Sequence, residues 1–174
     1  MRRESGRRLR LTVGAAFPAM LMLLAMGSQV NAHCQIPCGI YDDKVRIVMM
    51  EEDIDTIEKS MKQIVALSSE KPANYNQLIR WVMNKENHAE KIQEVVSQYF
   101  MTQRIRPVAD RNSGEGQKYV RELALLHELL VYSMQAKQTT DMNNVQTMRR
   151  LVREFADSYL SEADRKHIED HHGF

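Results

Sequence analysis

A chain of 174 residues has room for one hydrophobic core of ordinary size, and its seven Gly and four Pro, set against plentiful Glu, Lys, Gln, Met, Leu and Ala, favour helices over strands. The formal charge of +1 is unevenly spread: five of the 24 basic residues and one of the 23 acidic ones fall in the first 32, which leaves the remainder at −3. A body of that charge excludes a basic nucleic-acid-binding surface. No G-x-G-x-x-G, Walker or H-E-x-x-H sequence and no internal repeat occurs, so any chemistry has to come from elsewhere in the chain.

The first element is a leader. Arg2, Arg3, Arg7, Arg8 and Arg10 form a positive start, residues 11–26 are apolar or small, and Val30-Asn31-Ala32 is a small-x-small processing site. Residues 1–32 therefore read as a signal peptide removed by signal peptidase, and the mature protein as exported, periplasmic or extracellular. The apolar run falls short of the roughly 20 residues that a membrane anchor needs. Arg7-Arg8 suggests the twin-arginine route, but Arg10 stands where that signal wants an apolar residue, so the general secretory route is expected.

Cleavage after Ala32 makes His33 the N-terminus of His33-Cys34-Gln35-Ile36-Pro37-Cys38-Gly39-Ile40-Tyr41, which holds both cysteines of the chain. The freed amine and the Cys34 amide nitrogen close one five-membered chelate ring, and that amide with the Cys34 sulfur closes a second. Cys38 completes a plane if the chain doubles back, for which Pro37 has a fixed φ and Gly39 a free one. A square plane of nitrogen and thiolate suits Ni(II) or Cu(II) better than zinc, with the His33 imidazole as an axial donor. Two cysteines in an exported chain also fit a disulfide, but a disulfide gives no reason for the placement of His33.

Downstream, Asp42 and Asp43 can cap a helix over 43–67, in which Ile47, Met50, Ile54, Ile57, Met61 and Ile64 recur every three or four residues. After a break at 68–74, a second seam runs through Leu78, Trp81, Lys85, His88, Ile92, Val95 and Tyr99, with a polar layer at Lys85 and His88. A polar connection over 104–117 precedes a third helix with Tyr119, Leu123, Leu126, Leu130 and Met134 on one face. Asp141 caps a fourth, with Val145, Met148, Val152, Phe155 and Tyr159 on its face. Residues 161–174 read as a solvated polar tail, its His167, His171 and His172 included, and Met49 and Met50 as core or interface. The fold class is all-α: an antiparallel four-helix bundle over 42–174 behind a metal-binding hook at 33–41.

The His-Cys-x-x-Pro-Cys-Gly-x-Tyr sequence resembles the nickel hook of the nickel superoxide dismutase family, and Gln98-Tyr99-Phe100 is similar to that family's Tyr-Phe segment at the end of its second helix. The resemblance implies a nickel ion bound by the His33 amine and imidazole, the Cys34 amide and thiolate and the Cys38 thiolate. It implies that Tyr41 and Tyr99 line the approach to the open axial face, steering small anions and ordering water. It also implies superoxide as substrate, a Ni(II)/Ni(III) cycle, oxygen and hydrogen peroxide as products, and a homohexamer. The glutamate and arginine that hold the axial imidazole in the family have no clear counterpart; Asn84 or Lys85 stands near the arginine's position. An exported nickel or copper carrier using the same chelate is the alternative, and it has no need of Tyr41 and Tyr99.

Overall fold

The computed structural model describes residues 42–172, which are helical apart from their connections. Helix α1 spans Asp43–Ser68, α2 Tyr75–Glu94, α3 Gly114–Gln138, α4 Met142–Tyr159 and α5 Glu162–His172; α2 runs on without a break into a π-helical segment, Val95–Arg104. Each of the four main helices starts on a side-chain cap. Asp42 accepts from the Val45 amide at 3.2 Å, Asn74 from Gln77 at 3.2 Å, Ser113 from Gly116 at 3.0 Å and Asp141 from Asn143 at 3.0 Å, each satisfying an amide that has no partner inside its helix.

Cross-helix bonds set the direction of every neighbour. Along α1, Asp43, Asp53 and Ser60 meet Tyr99, His88 and Asn84 in falling order, so α1 and its successor run antiparallel. Lys85 meets Lys137 and Gln93 meets Leu130, Glu122 meets Ser158, and α1 meets α4 through Asp43 with Tyr159 and Glu51 with Arg149. The result is an up-down-up-down bundle closed between α1 and α4. All six seam residues expected in α1 are buried, as are Val145, Met148, Val152 and Phe155 of α4. Met50 is in the core whereas its neighbour Met49 is 41% exposed.

Three expectations are corrected. The α3 face is turned: Glu122, Leu125, Leu126, Leu129, Ser133 and Ala136 are buried, while Tyr119, Leu123 and Leu130 only flank the core and Met134 is 42% exposed. Hydrophobicity alone misplaces this face, because a glutamate, a serine and an alanine hold inward positions where neighbouring helices come close. The connection before α3 ends at Ser113, and Gly114 and Gly116 belong to the first turn; a Cβ on Gly116 would lie 2.2 Å from the Asp110 carbonyl oxygen, so the incoming loop crosses over this glycine. Residues 162–172 are helical, not an unstructured tail, and α5 seats Ile168, 2% exposed, among the core residues while His167 stays exposed.

Candidate active site

Four of the residues singled out from the sequence, His33, Cys34, Cys38 and Tyr41, lie outside the described residues. The fifth, Tyr99, is buried at the end of the bundle where α1 begins. Its hydroxyl donates to Asp43 Oδ1 at 2.6 Å, its ring lies under the Arg46 guanidinium at 5.0 Å, and Phe100 meets it edge-on at 5.1 Å.

Asp43 is the centre of this end. Because Asp42 takes the cap, the Asp43 side chain is free to turn inward, and Arg104 embraces it with Nε 2.9 Å from Oδ1 and Nη2 2.7 Å from Oδ2. The Tyr159 hydroxyl, from the last turn of α4, donates to Oδ2 at 2.8 Å. Burial works against the Asp43 charge, but the bonds from Arg104, Tyr99 and Tyr159 outweigh it and hold the carboxyl below its usual range. Burial and the neighbouring carboxylate push the Tyr99 phenol up to about 12 and raise that of Tyr159 as well, so both stay protonated. Phe100 and Phe155, 4.9 Å apart, close the cluster from below, with Tyr159 stacked on Phe155 at 5.1 Å.

The π-helical segment explains how Tyr99 and Arg104 reach one carboxylate. In an α-helix, residues five apart point about 140° away from each other. Bonds between residues five apart, as from the Ile105 amide to the Phe100 carbonyl at 2.8 Å, widen the turn and bring such residues nearly into line. Val96, four residues on from buried Ile92, takes the inward position that was expected of Val95.

Lys85 and His88, expected as a polar core layer, do lie between helices. Lys85, 3% exposed, donates to the Lys137 and Thr139 carbonyls at 2.7 and 2.9 Å and so closes the end of α3. His88 Nδ1 is 2.5 Å from Asp53 Oδ1, and Asn84 donates to Ser60 at 3.0 Å. Among the described residues, no group of three or more His, Cys, Asp and Glu side chains is arranged to hold a metal, and no helix is long and apolar enough to cross a membrane.

The family model for nickel-containing superoxide dismutase matches residues 28–163, a stretch that takes in the hook and all four main helices. The chain belongs to that family. It is thus an enzyme, a nickel-containing superoxide dismutase whose cofactor is nickel and whose substrate is superoxide. No curated protein and no solved structure gives a significant match. The donor chemistry of the chain fits that cofactor: both cysteines of this dismutase stand in residues 33–41, beside His33, whose amine a cleavage after Ala32 would free.

Asp43, Arg104 and Tyr159 were not singled out from the sequence. Asp43 reads there as one of two equivalent caps, Arg104 as the first residue of a loop and Tyr159 as the end of an apolar face. Periodicity gave no signal for them, because the five-residue spacing of Tyr99 and Arg104 fits no α-helical seam.

Proposed function

We propose that the nickel of this dismutase is held by the N-terminal hook: the His33 amine and imidazole, the Cys34 amide nitrogen and thiolate, and the Cys38 thiolate. The observation that carries the reading is the nine-residue sequence with the small-x-small site before it: Ala32 as the cleavage point, and His33, the two cysteines, Pro37 and Gly39 each with a task in one chelate. Bound nickel supplies a one-electron couple, Ni(III)/Ni(II), through which one superoxide is oxidised to oxygen and a second, with two protons, is reduced to hydrogen peroxide.

The work of the chain's own residues follows from their chemistry. Two thiolates and an amidate give the metal strong anionic donors, and removal of residues 1–32 frees the amine that completes them. Tyr41 and Tyr99 flank the approach as neutral hydroxyl groups that order water and admit a small anion. The pairing of Arg104 with Asp43 neutralises the carboxylate beside Tyr99, which would otherwise repel superoxide. Processing by signal peptidase, export to the periplasm or cell exterior, and assembly as a homohexamer belong to the same reading. Membership of the dismutase family favours it over a nickel or copper carrier.

The test is superoxide decay by protein processed to begin at His33 and loaded with nickel under reducing conditions, with a form retaining Ala32 as control. Fast decay in the processed form alone is expected. Nickel binding without decay in either form would favour the carrier, and equal decay in both would remove the His33 amine from the ligand set.

A further inference from the structure

We propose that Asp43 is a positioning residue of the dismutase: its carboxylate fixes the Tyr99 hydroxyl as a committed donor and clamps Arg104 and Tyr159 beside it at the start of α1. This assignment rests on the reading of Tyr99 as a residue of the substrate approach and adds what holds that residue in place.

Three separate elements converge on the one side chain. Tyr99 and Arg104 come from the π-helical segment, Tyr159 from the last turn of α4, and Asp43 from the first turn of α1, where the helix dipole also favours a negative charge. An α-helix over 95–104 would turn either Tyr99 or Arg104 away, so the irregular turn and the carboxylate form one device. Asp43 follows the hook tyrosine Tyr41 by two residues in the sequence.

The clamp has a chemical consequence. The single hydroxyl proton of Tyr99 is engaged by Asp43, so the proton delivered to peroxide does not come from this phenol. Asp43, Arg104 and the Arg46 guanidinium over the Tyr99 ring together carry one net positive charge, which a Tyr99 phenolate would cancel and so remove an attraction for an anionic substrate. Asp43 therefore guards the neutral state of Tyr99 as well as its orientation.

The test compares wild type, Asp43→Asn, Asp43→Glu, Tyr99→Phe and the double variant Asp43→Asn/Tyr99→Phe. All are processed to His33, with nickel content measured in each. The Tyr99 phenol is followed by ultraviolet titration of the nickel-free proteins, with Tyr99→Phe subtracted to isolate its signal. In Asp43→Asn the phenol should titrate nearer the ordinary tyrosine value of about 10. In the loaded enzyme the alkaline limb of superoxide decay should move down by about one pH unit or more. Asp43→Glu, which keeps the charge, should recover most of the shift. The asparagine substitution should cost much less in the Tyr99→Phe background than in wild type. An Asp43→Asn enzyme with nickel bound and both titrations unchanged would overturn the proposal, even where Tyr99→Phe is damaging. Full additivity in the double variant would overturn it too. If Tyr99→Phe leaves decay untouched, the reading of the approach fails and this assignment fails with it; if wild type binds nickel without decay, it is the dismutase chemistry of the hook that fails.

Discussion

Asp43 and Asp53 lie on the same helix and both reach across to the second helix or its π-helical extension, yet their carboxyls are driven in opposite directions. Asp43 is held below the usual carboxylate range because a guanidinium and two phenols more than offset its burial. Asp53 is pushed above that range: its burial outweighs the help from His88 and Lys91, and Glu52 adds to the rise. A third crossing, Ser60 with Asn84, carries no charge at all. Across these three crossings polarity thus declines from the N-terminal end of α1, and the carboxylate charge is favoured only where a guanidinium and two phenols surround it. The same type of residue becomes a clamp in one setting and a reluctant acid in the other.

The sharpest way to break this comparison is to remove the first carboxylate. Asp43→Asn takes from half-buried Arg104 the carboxylate it grips and leaves two phenols with a poorer acceptor, and it should cost about 2–3 kcal/mol of stability at pH 7. The sign with pH follows from the lowered carboxyl: its contribution is complete above the unfolded value of about 4 and is lost as the pH falls through the lower folded value. Urea denaturation of both proteins at pH 7 and at progressively lower pH should show the two curves converging in acid. A gap that stayed constant would mean that the carboxylate charge is not what the clamp uses.

Asp53→Asn should have the smaller effect and the opposite trend. The amide keeps an acceptor for His88 and removes a charge whose burial is unfavourable, so the loss at pH 7 should be about 1 kcal/mol or less. Because the folded Asp53 carboxyl is raised, its protonated form is favoured in the folded protein; that stabilisation is present at low pH and fades as the pH rises through the folded value. The wild type should therefore gain on the variant on acidification, where it loses ground to Asp43→Asn. Parallel slopes for the two variants would dissolve the distinction between these aspartates.

What the sequence made legible, and what it hid, divides along a physical line. The α1 and α4 faces could be read because apolar side chains recur at helical spacing, and the family could be read because the sequence at 33–41 that resembles its hook is contiguous and needs no fold to bring its residues together. The α3 face was hidden because Glu122 and Ser133 are polar yet buried: Ser158 of α4 donates to Glu122 at 3.2 Å, a partner that only the assembled bundle supplies, and Ser133 satisfies its hydroxyl within its own helix, on the Leu129 carbonyl at 2.7 Å. The clamp was hidden for two reasons. Its members are far apart in sequence, and Tyr99 with Arg104 obeys a π-helical spacing that hydrophobic periodicity does not report. Helix α5 was hidden because, among its described side chains, Ile168 alone is buried, in a segment otherwise full of charge.

The uncharged crossing gives the smallest effect and calibrates the other two. Ser60 is fully buried; its hydroxyl donates to the Thr56 carbonyl at 2.7 Å and accepts from Asn84 at 3.0 Å. In Ser60→Ala the Thr56 carbonyl keeps its helical bond, and the half-exposed Asn84 amide can turn to water, so neither group is stranded. Only the net value of a neutral hydrogen bond is lost, about 0.5–1 kcal/mol. With no ionisable group at the crossing, that loss should be the same at every pH between 4 and 8 in the same urea experiment. A pH-dependent loss would show that the Ser60 crossing senses the charge on Asp53 and His88 two turns away, and the three crossings would then have to be treated as one coupled network.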